Sequence, residues 1–134
     1  MTNTMQWRTA MGACALAFML SVTTLQAARA HDTSAGPNGG QVIEVKGHHV
    51  ELTTTGKDLT LHLTDEAHAA IASQGASGRA VILEGSKQAT AALTPAAPNK
   101  LVAHLDAPLA AGARVVVTAK LADGHEIVVR FVIK

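Results

Sequence analysis

The chain has 134 residues, with 11 basic and 10 acidic side chains and seven histidines, and its formal charge is +1 when those histidines are neutral. This length suits one small domain with a modest core. The near balance of charge is atypical of nucleic-acid-binding domains, so we expect no nucleic-acid partner.

Residues 1–30 have the features of a secretory signal peptide: an early arginine, an apolar run over about residues 10–22 and an Ala-Arg-Ala site before His31. The apolar run is shorter than the roughly 20 residues that a bilayer-spanning helix needs. We therefore predict cleavage after Ala30, export to the periplasm and no membrane association of the mature chain. Acylation of Cys14, as in a lipoprotein, is the minor alternative, because the apolar run continues past that cysteine.

Cleavage would change the chemistry available to the protein. All four methionines, the cysteine, the tryptophan and one of the two phenylalanines lie in the leader, so Phe131 is the single aromatic left. Thiol chemistry, sulfur ligation of Cu(I) and stacking on sugars or bases thus become improbable. All seven histidines remain, and a nitrogen and oxygen ligand set suits Cu(II), Zn(II), Ni(II) or Co(II).

Residues 31–40 are rich in Gly, Pro, Asn, Asp and Ser, which favours a flexible arm. A short strand is predicted over residues 41–45, followed by a Lys46-Gly47 turn. Residues 48–53 and 59–63 then form a predicted hairpin.

Strand alternation in this hairpin places His49, Glu51 and His62 on the face opposite the leucines. Two registers stay open: one sets His49 opposite His62, and the other sets Glu51 opposite His62. In either case two imidazoles and one carboxylate could hold Zn(II) or Cu(II). The alternative is an ordinary exposed polar face of an antiparallel sheet.

The only plausible helix lies near residues 65–74, between Thr64 as N-cap and Gly75 as terminator. From there the pattern returns to strands, which are predicted over residues 80–84, 88–93, 100–105, 114–121 and 126–133. A loop marked by Pro95 and Pro98 separates two of them.

The last two predicted strands flank an Asp-Gly hairpin turn at Asp123 and Gly124. We expect this hairpin to be central and to bury Val115, Val117 and Val128, or their immediate neighbours. The whole pattern predicts an all-β fold, a small antiparallel immunoglobulin-like β-sandwich formed by residues 41–134 as a single domain, with at most one short helix.

A second candidate metal site involves His31, Asp123 and His125. A cleaved N-terminal histidine offers its α-amine and ring Nδ1 in a chelate that Cu(II) favours, and one further imidazole would complete a histidine brace. Asp123 and His125 bracket a glycine and could point to one spot. The alternatives are a frayed terminus and a solvated turn. We interpret His48 as a rim residue and assign no role to the other two histidines.

Two stretches resemble known families. The pattern of His31, GPNGG at residues 36–40 and GHHVEL at residues 47–52 resembles the opening of small periplasmic metal-binding proteins and of some adaptor subunits of heavy-metal efflux pumps. This resemblance implies a periplasmic protein whose partners are efflux components.

The second resemblance lies in the C-terminal part, whose motif is Pro108-Leu109, Gly112, Val115 to Val117, Asp123-Gly124-His125 and Phe131. It is similar to the last strands of the CopC copper-resistance family, which are periplasmic sandwiches that begin with a mature histidine. The resemblance implies a CopC-like fold with His31, Asp123 and His125 as Cu(II) ligands. The methionines that this family uses for Cu(I) are absent after residue 30.

These patterns together predict a periplasmic, non-enzymatic protein that binds a divalent transition metal, above all Cu(II), and buffers or delivers it for resistance and efflux. One alternative is a metal-free interaction module that docks on an efflux system. A histidine-brace copper oxidase is the less favoured alternative, because the mature chain has no aromatic platform for a substrate. No arrangement of residues is specific enough to predict hydrolysis.

Overall fold

The computed structural model of the protein describes residues 34–134, and all of their regular structure is β-strand. In chain order the strands are β1 Ser34–Ala35, β2 Gln41–Val45, β3 His48–Thr55, β4 Asp58–Asp65, β5 Ser77–Glu84, β6 Lys87–Ala96, β7 Lys100–His104, β8 Arg114–Lys120 and β9 Glu126–Val132. The described residues include no helix, and therefore none that is long and apolar enough to cross a membrane.

All neighbouring strands are antiparallel, in the order β1-β2-β3-β4-β7-β6-β5-β8-β9. β6 belongs to two sheets, because it pairs with β5 up to Leu93 and with β7 from Thr94 onward. The strands therefore form two sheets that are joined along β6 and face each other. On the far side β2 approaches β9, where Gln41 Nε2 donates a hydrogen bond of 2.6 Å to the carbonyl oxygen of Val132. This architecture confirms the predicted all-β sandwich.

The core consists of the inward-facing residues of both sheets, as strand alternation requires. In the β8–β9 hairpin Val115 and Val117 are fully buried, and the buried residues of β9 include Ile127 and Val129. Val128 is 51% exposed. The predicted hairpin and its buried face are thus confirmed, and Ile127 and Val129 lie in the core where Val128 was one of the expected residues. The expected central position is wrong, because β9 is the last strand in the strand order.

The predicted strands are all present, and the two main differences are an additional strand, β1, and the greater length of β6. Ser34 and Ala35, which were expected in an arm without regular structure, pair with Val42 and Gln41 as β1. β6 continues through Pro95 to Ala96, where a loop was expected. Proline is tolerated here because it follows the point where β6 changes sheets, so one side of its backbone needs no ladder hydrogen bond.

The predicted helix near residues 65–74 is wrong. Thr64 and Asp65 end β4, and the following chain is a turn whose backbone amides at Ala67 and Ala69 both donate to Asp65 Oδ1. The physical reason is burial: Ile71 is the only large apolar residue in this segment, and a helix here would have almost no face to pack. Ile71 instead packs against the core from an irregular segment.

We expect Phe131→Ala to lower the free energy of unfolding by about 3–5 kcal/mol, because this side chain is 1% exposed and its removal leaves a cavity between the sheets. Urea unfolding measures the change. Thr90→Ala, at an exposed position of β6, is the control and should change stability by about 0.5 kcal/mol or less. Equal effects of the two substitutions would contradict this description of the core.

Candidate metal centre

A two-residue turn connects β2 to β3 at one end of the sandwich. Its residues Lys46 and Gly47 have φ values of +49° and +75°. Positive φ at both central positions is typical of the type I′ turn, whose twist matches that of the strands it joins. The turn pairs Val45 with His48 and so places His48 at the very start of β3.

A second turn lies at the same end and connects β8 to β9. The Gly124 N–H donates to the Leu121 carbonyl oxygen at 3.0 Å, and the Leu121 N–H donates to that of His125 at 2.8 Å. With Gly124 at φ +89°, this is a three-residue loop closed by a glycine bulge. Lys46 Nζ reaches across to the carbonyl oxygen of Glu126, at 2.9 Å, and links the two turns.

The two turns bring together the side chains of His48, Asp123 and His125. His48 Nε2 lies 3.5 Å from Asp123 Oδ2, and His125 Nδ1 lies 3.1 Å from the same oxygen. Donor atoms bound 2.0–2.1 Å from one ion stand about 3.3 Å apart along a tetrahedral edge. These separations therefore match those of ligands that share one metal ion.

The hydrogen bonding of His48 selects its tautomer. His48 Nδ1 lies 2.8 Å from the Lys46 carbonyl oxygen, which only accepts, so Nδ1 carries the proton. In the neutral ring the lone pair of Nε2 then faces the carboxylate of Asp123. Both groups are hydrogen-bond acceptors, so they repel each other in this arrangement. A cation resolves this opposition, either as a proton on Nε2 or as a metal ion bound to both groups.

The loop also prepares Asp123 as an anionic ligand. The backbone N–H of His125 donates to Asp123 Oδ1 at 2.9 Å and is the main reason that the pKa of this carboxyl is lowered. Desolvation opposes this effect and raises the pKa, and the nearby imidazoles of His125 and His48 lower it further. Asp123 is thus ionised at neutral pH without any need for a bound cation.

The other predicted set lies on β3 and β4. Glu51 is directly opposite His62, which decides between the two registers, and His49 and His62 share one face as predicted. Their donor atoms do not converge, however. Within residues 34–134 the one group of three or more His, Cys, Asp or Glu side chains with ligand atoms within 4.8 Å of one another is His48, Asp123 and His125.

Glu51 has structural partners instead. Its side chain is buried, and its carboxylate accepts hydrogen bonds from Asn38 N, Asn38 Nδ2 and Gly40 N at 2.8–2.9 Å. A Cβ atom at Gly36 would overlap this carboxylate, and one at Gly40 would overlap the Leu52 carbonyl group. The GPNGG segment is therefore folded around Glu51, and both oxygens of that carboxylate already accept hydrogen bonds from it.

The two histidines of this face also have other partners. His49 Nδ1 hydrogen-bonds to the Asp65 carbonyl oxygen, and its ring stacks on that of His68 with centroids 4.6 Å apart. His62 Nε2 hydrogen-bonds to Thr53 Oγ1 at 3.1 Å. Partial burial is the main cause that lowers the pKa of His62, against the charge of Glu51, which raises it. Both histidines line a cavity of about 440 Å³ beneath the GPNGG segment.

Sequence reasoning missed His48 as a partner of Asp123 and His125. A signal existed, because His48 is in phase with Val50 and Leu52 and must point toward the core side of β3. An inward histidine at a strand end needs a polar partner, and only the fold shows that the β8–β9 loop supplies it. His31, the third member of the predicted terminal site, lies outside the described residues.

We expect Glu51→Gln to lower the free energy of unfolding by about 1–3 kcal/mol, because the new amide NH₂ faces N–H donors and leaves a buried hydrogen bond unmade. Glu66→Gln neutralises an exposed carboxylate and is the matched control. Thermal or urea unfolding of both variants tests the role of Glu51. If the two variants are equally stable, Glu51 does not hold the GPNGG segment.

Comparison with known proteins identifies no family for this chain. No protein-family model matches it, and no curated protein matches it. Among solved structures, the archaellum periplasmic stator protein FlaG from Sulfolobus acidocaldarius is similar at 13% sequence identity and a TM-score of 0.37. That similarity covers 60% of this chain and 92% of the stator protein.

Proposed function

We propose that this protein is a periplasmic, non-enzymatic carrier that binds a divalent transition metal at His48, Asp123 and His125 and buffers or delivers it for metal resistance and efflux. The observation that carries the proposal is the convergence of two imidazole nitrogens on one carboxylate oxygen, at 3.5 and 3.1 Å. These three residues come from two turns that are distant in the sequence.

The donor set supports Cu(II) as the leading metal, with Zn(II), Ni(II) and Co(II) as the other candidates. Imidazole and carboxylate donors suit borderline ions, and residues 31–134 contain no sulfur that would favour Cu(I). The side chains of Asp123 and His125 are 45% and 65% exposed. Three donors at an exposed rim leave coordination positions that further ligands can occupy, whereas structural zinc sites are closed by four protein ligands.

His31 is proposed to complete the coordination in the secreted chain. After cleavage its α-amine and ring Nδ1 would add two nitrogen donors to those of His48 and His125. The resulting set of nitrogen ligands and one carboxylate suits Cu(II) in a tetragonal geometry. A carrier can use these donors, because binding a metal ion requires no aromatic platform for a substrate.

We expect His48→Ala and His125→Ala each to weaken Cu(II) binding about tenfold or more, because each removes one donor from the cluster. Titration calorimetry of the secreted, metal-free protein measures the affinity, with Zn(II), Ni(II) and Co(II) titrated in parallel. His104→Ala is the matched control, because its exposed ring pairs with Asp58 far from the cluster. If none of the four metals binds, the proposal is overturned in favour of a metal-free interaction module.

Signal cleavage should be required for full affinity. A peptide-bonded nitrogen is a far poorer donor at neutral pH than a free α-amine, so one extra glycine before His31 should weaken Cu(II) binding. Binding of the glycine-extended and unextended secreted chains, measured side by side, tests this. Equal affinities would show that the terminal amine takes no part, even where the other three ligands bind metal.

A further inference from the structure

The outer face of one sheet combines arginines with aliphatic residues. β5, β8 and β9 are adjacent strands, and their inward-facing residues lie in the core. Side chains alternate along a strand, so the residues between those core positions point outward. The basic outward residues are Arg79, Arg114 and Arg130. The aliphatic outward residues are Val81, Leu83, Val116, Val128 and Val132. We call these residues together the arginine–valine face.

Val116 lies at the centre of the arginine–valine face. It is directly opposite Val81 of β5 on one side and Arg130 of β9 on the other. Opposed residues of one face have Cβ atoms about 4.5–5.5 Å apart, and diagonal neighbours are about 7–8 Å apart. Arg79 is diagonal to Val116 on β5, and Arg114 lies two residues from it along β8. All three arginine side chains therefore start within about 8 Å of one valine, so a single partner can contact all of them.

The aliphatic residues of this face are accessible. Val128 and Val132 are 51% and 54% exposed, more than any other large apolar side chain that the structure describes. Val81, Leu83 and Val116 are half-buried beside them. Apolar surface that is gathered in one patch and bordered by charge is typical of an interaction site, whereas apolar residues scattered singly are ordinary. The patch therefore indicates a partner that covers it.

The arginines of the described chain are concentrated on this face. All three arginines within residues 34–134 belong to it. Lysine is distributed differently: of the six lysines in the same range, Lys120 alone lies on β5, β8 or β9, and it is paired in register with Glu126. Arginine is enriched and lysine is depleted in protein–protein interfaces, because the planar guanidinium group is weakly hydrated and can bind a carboxylate through two hydrogen bonds. This distribution favours a protein interface over an ordinary solvated surface.

The charge of the face indicates an acidic partner. The outward positions within residues 79–83, 114–118 and 128–132 include no aspartate or glutamate. Over residues 34–134, however, basic and acidic residues are equal in number, nine of each. The positive charge is thus a local feature of this face. It would act on a nearby carboxylate and would not draw polyanions to the molecule as a whole.

The side chains of the face favour a protein over a lipid bilayer. Membrane-binding surfaces insert long or aromatic side chains, whereas the apolar part of this face consists of valines and one leucine, which are shorter than arginine. A second copy of this chain that used the same face would bring arginines against arginines, which is unfavourable. An acidic protein with a projecting apolar side chain matches both the arginines and the valines.

We infer that the arginine–valine face binds an acidic protein partner. The carboxylates of the partner pair with the three arginines, and one of its apolar side chains covers Val116 between them. Covering the valines excludes water and so strengthens each ion pair. The face shares no residue with the cluster of His48, Asp123 and His125, so this inference does not depend on the proposed metal site.

Carbodiimide coupling tests the contact with carboxylates. This reagent joins a carboxylate to an amine in contact with it, and the guanidinium group of arginine does not react. Arg114→Lys and Arg130→Lys, made separately, keep the charge of the face and add one amine to it. Each signal-cleaved variant is mixed with the secreted protein fraction of its native host, coupled, digested and analysed by mass spectrometry. Lys57, which is exposed in the turn between β3 and β4, is the internal control.

We expect each introduced lysine to couple to an aspartate or glutamate of one host protein with a yield about tenfold or more above that at Lys57. Val128→Glu, added to each variant, places a negative charge beside the arginines and should lower this yield about tenfold. Val128→Gln is its uncharged control and should retain most of the yield. The inference is overturned if coupling is no higher than at Lys57, if the two Val128 variants couple equally, or if the coupled protein is a second copy of this chain.

A vesicle assay separates a membrane from a protein as the partner. Vesicles of equal parts phosphatidylglycerol and phosphatidylcholine are sedimented with the unaltered chain and with a variant that carries Arg79→Ser, Arg114→Ser and Arg130→Ser. We expect the two chains to sediment alike, because valine is too short to enter the bilayer. Sedimentation that requires the arginines would assign the face to a membrane surface and overturn the inference. Both assays contain EDTA, so their results leave the proposed metal site to its own titration.

Discussion

The antiparallel register of β2 against β3 is the constraint on which the candidate site depends. The tight Lys46–Gly47 turn admits only one pairing, with Val45 opposite His48 and Val42 opposite Glu51. Because successive strand residues point to opposite faces, the adjacent histidines His48 and His49 are separated at once. His48 points toward the inner side and the β8–β9 loop, and His49 points toward the cavity beneath the GPNGG segment.

The two faces of β3 use their polar groups in different ways. On the outer face the buried carboxylate of Glu51 accepts three hydrogen bonds from residues 38–40, which offset the cost of burying a charge. On the inner side His48 is satisfied at Nδ1 but presents Nε2 to a carboxylate. The first arrangement stabilises the fold, whereas the second leaves a lone pair that a cation can use. This difference separates a structural polar cluster from a candidate metal ligand set.

Much of the fold could be predicted from local pattern. Val115, Val117 and Phe131 alternate with polar residues, and that periodicity alone assigns them to strands with one buried face. The prediction of a helix near residues 65–74 is wrong. Thr64 and Asp65 satisfy helix-capping rules, but their backbone continues β4. Capping preferences describe a helix end, but a helix also needs an apolar face, and this segment has one large apolar residue. The loop predicted at Pro95 is strand in the structure, and sequence does not show where a strand changes sheets.

The sequence by itself determined the strand faces and, from residue 31 onward, a donor chemistry of nitrogen and oxygen only. It placed Asp123 and His125 within one turn, and His49, Glu51 and His62 on one side of a hairpin. It also determined that His48 faces the core, through its phase with Val50 and Leu52. Only the tertiary structure decided that His48 meets Asp123 and that Glu51 is committed to the GPNGG segment. The reason is that alternation and turn geometry act over a few residues. The contact between the β2–β3 and β8–β9 turns depends instead on how all the strands between them curve. This curvature brings β2, near one end of the strand order, next to β9, at the other end.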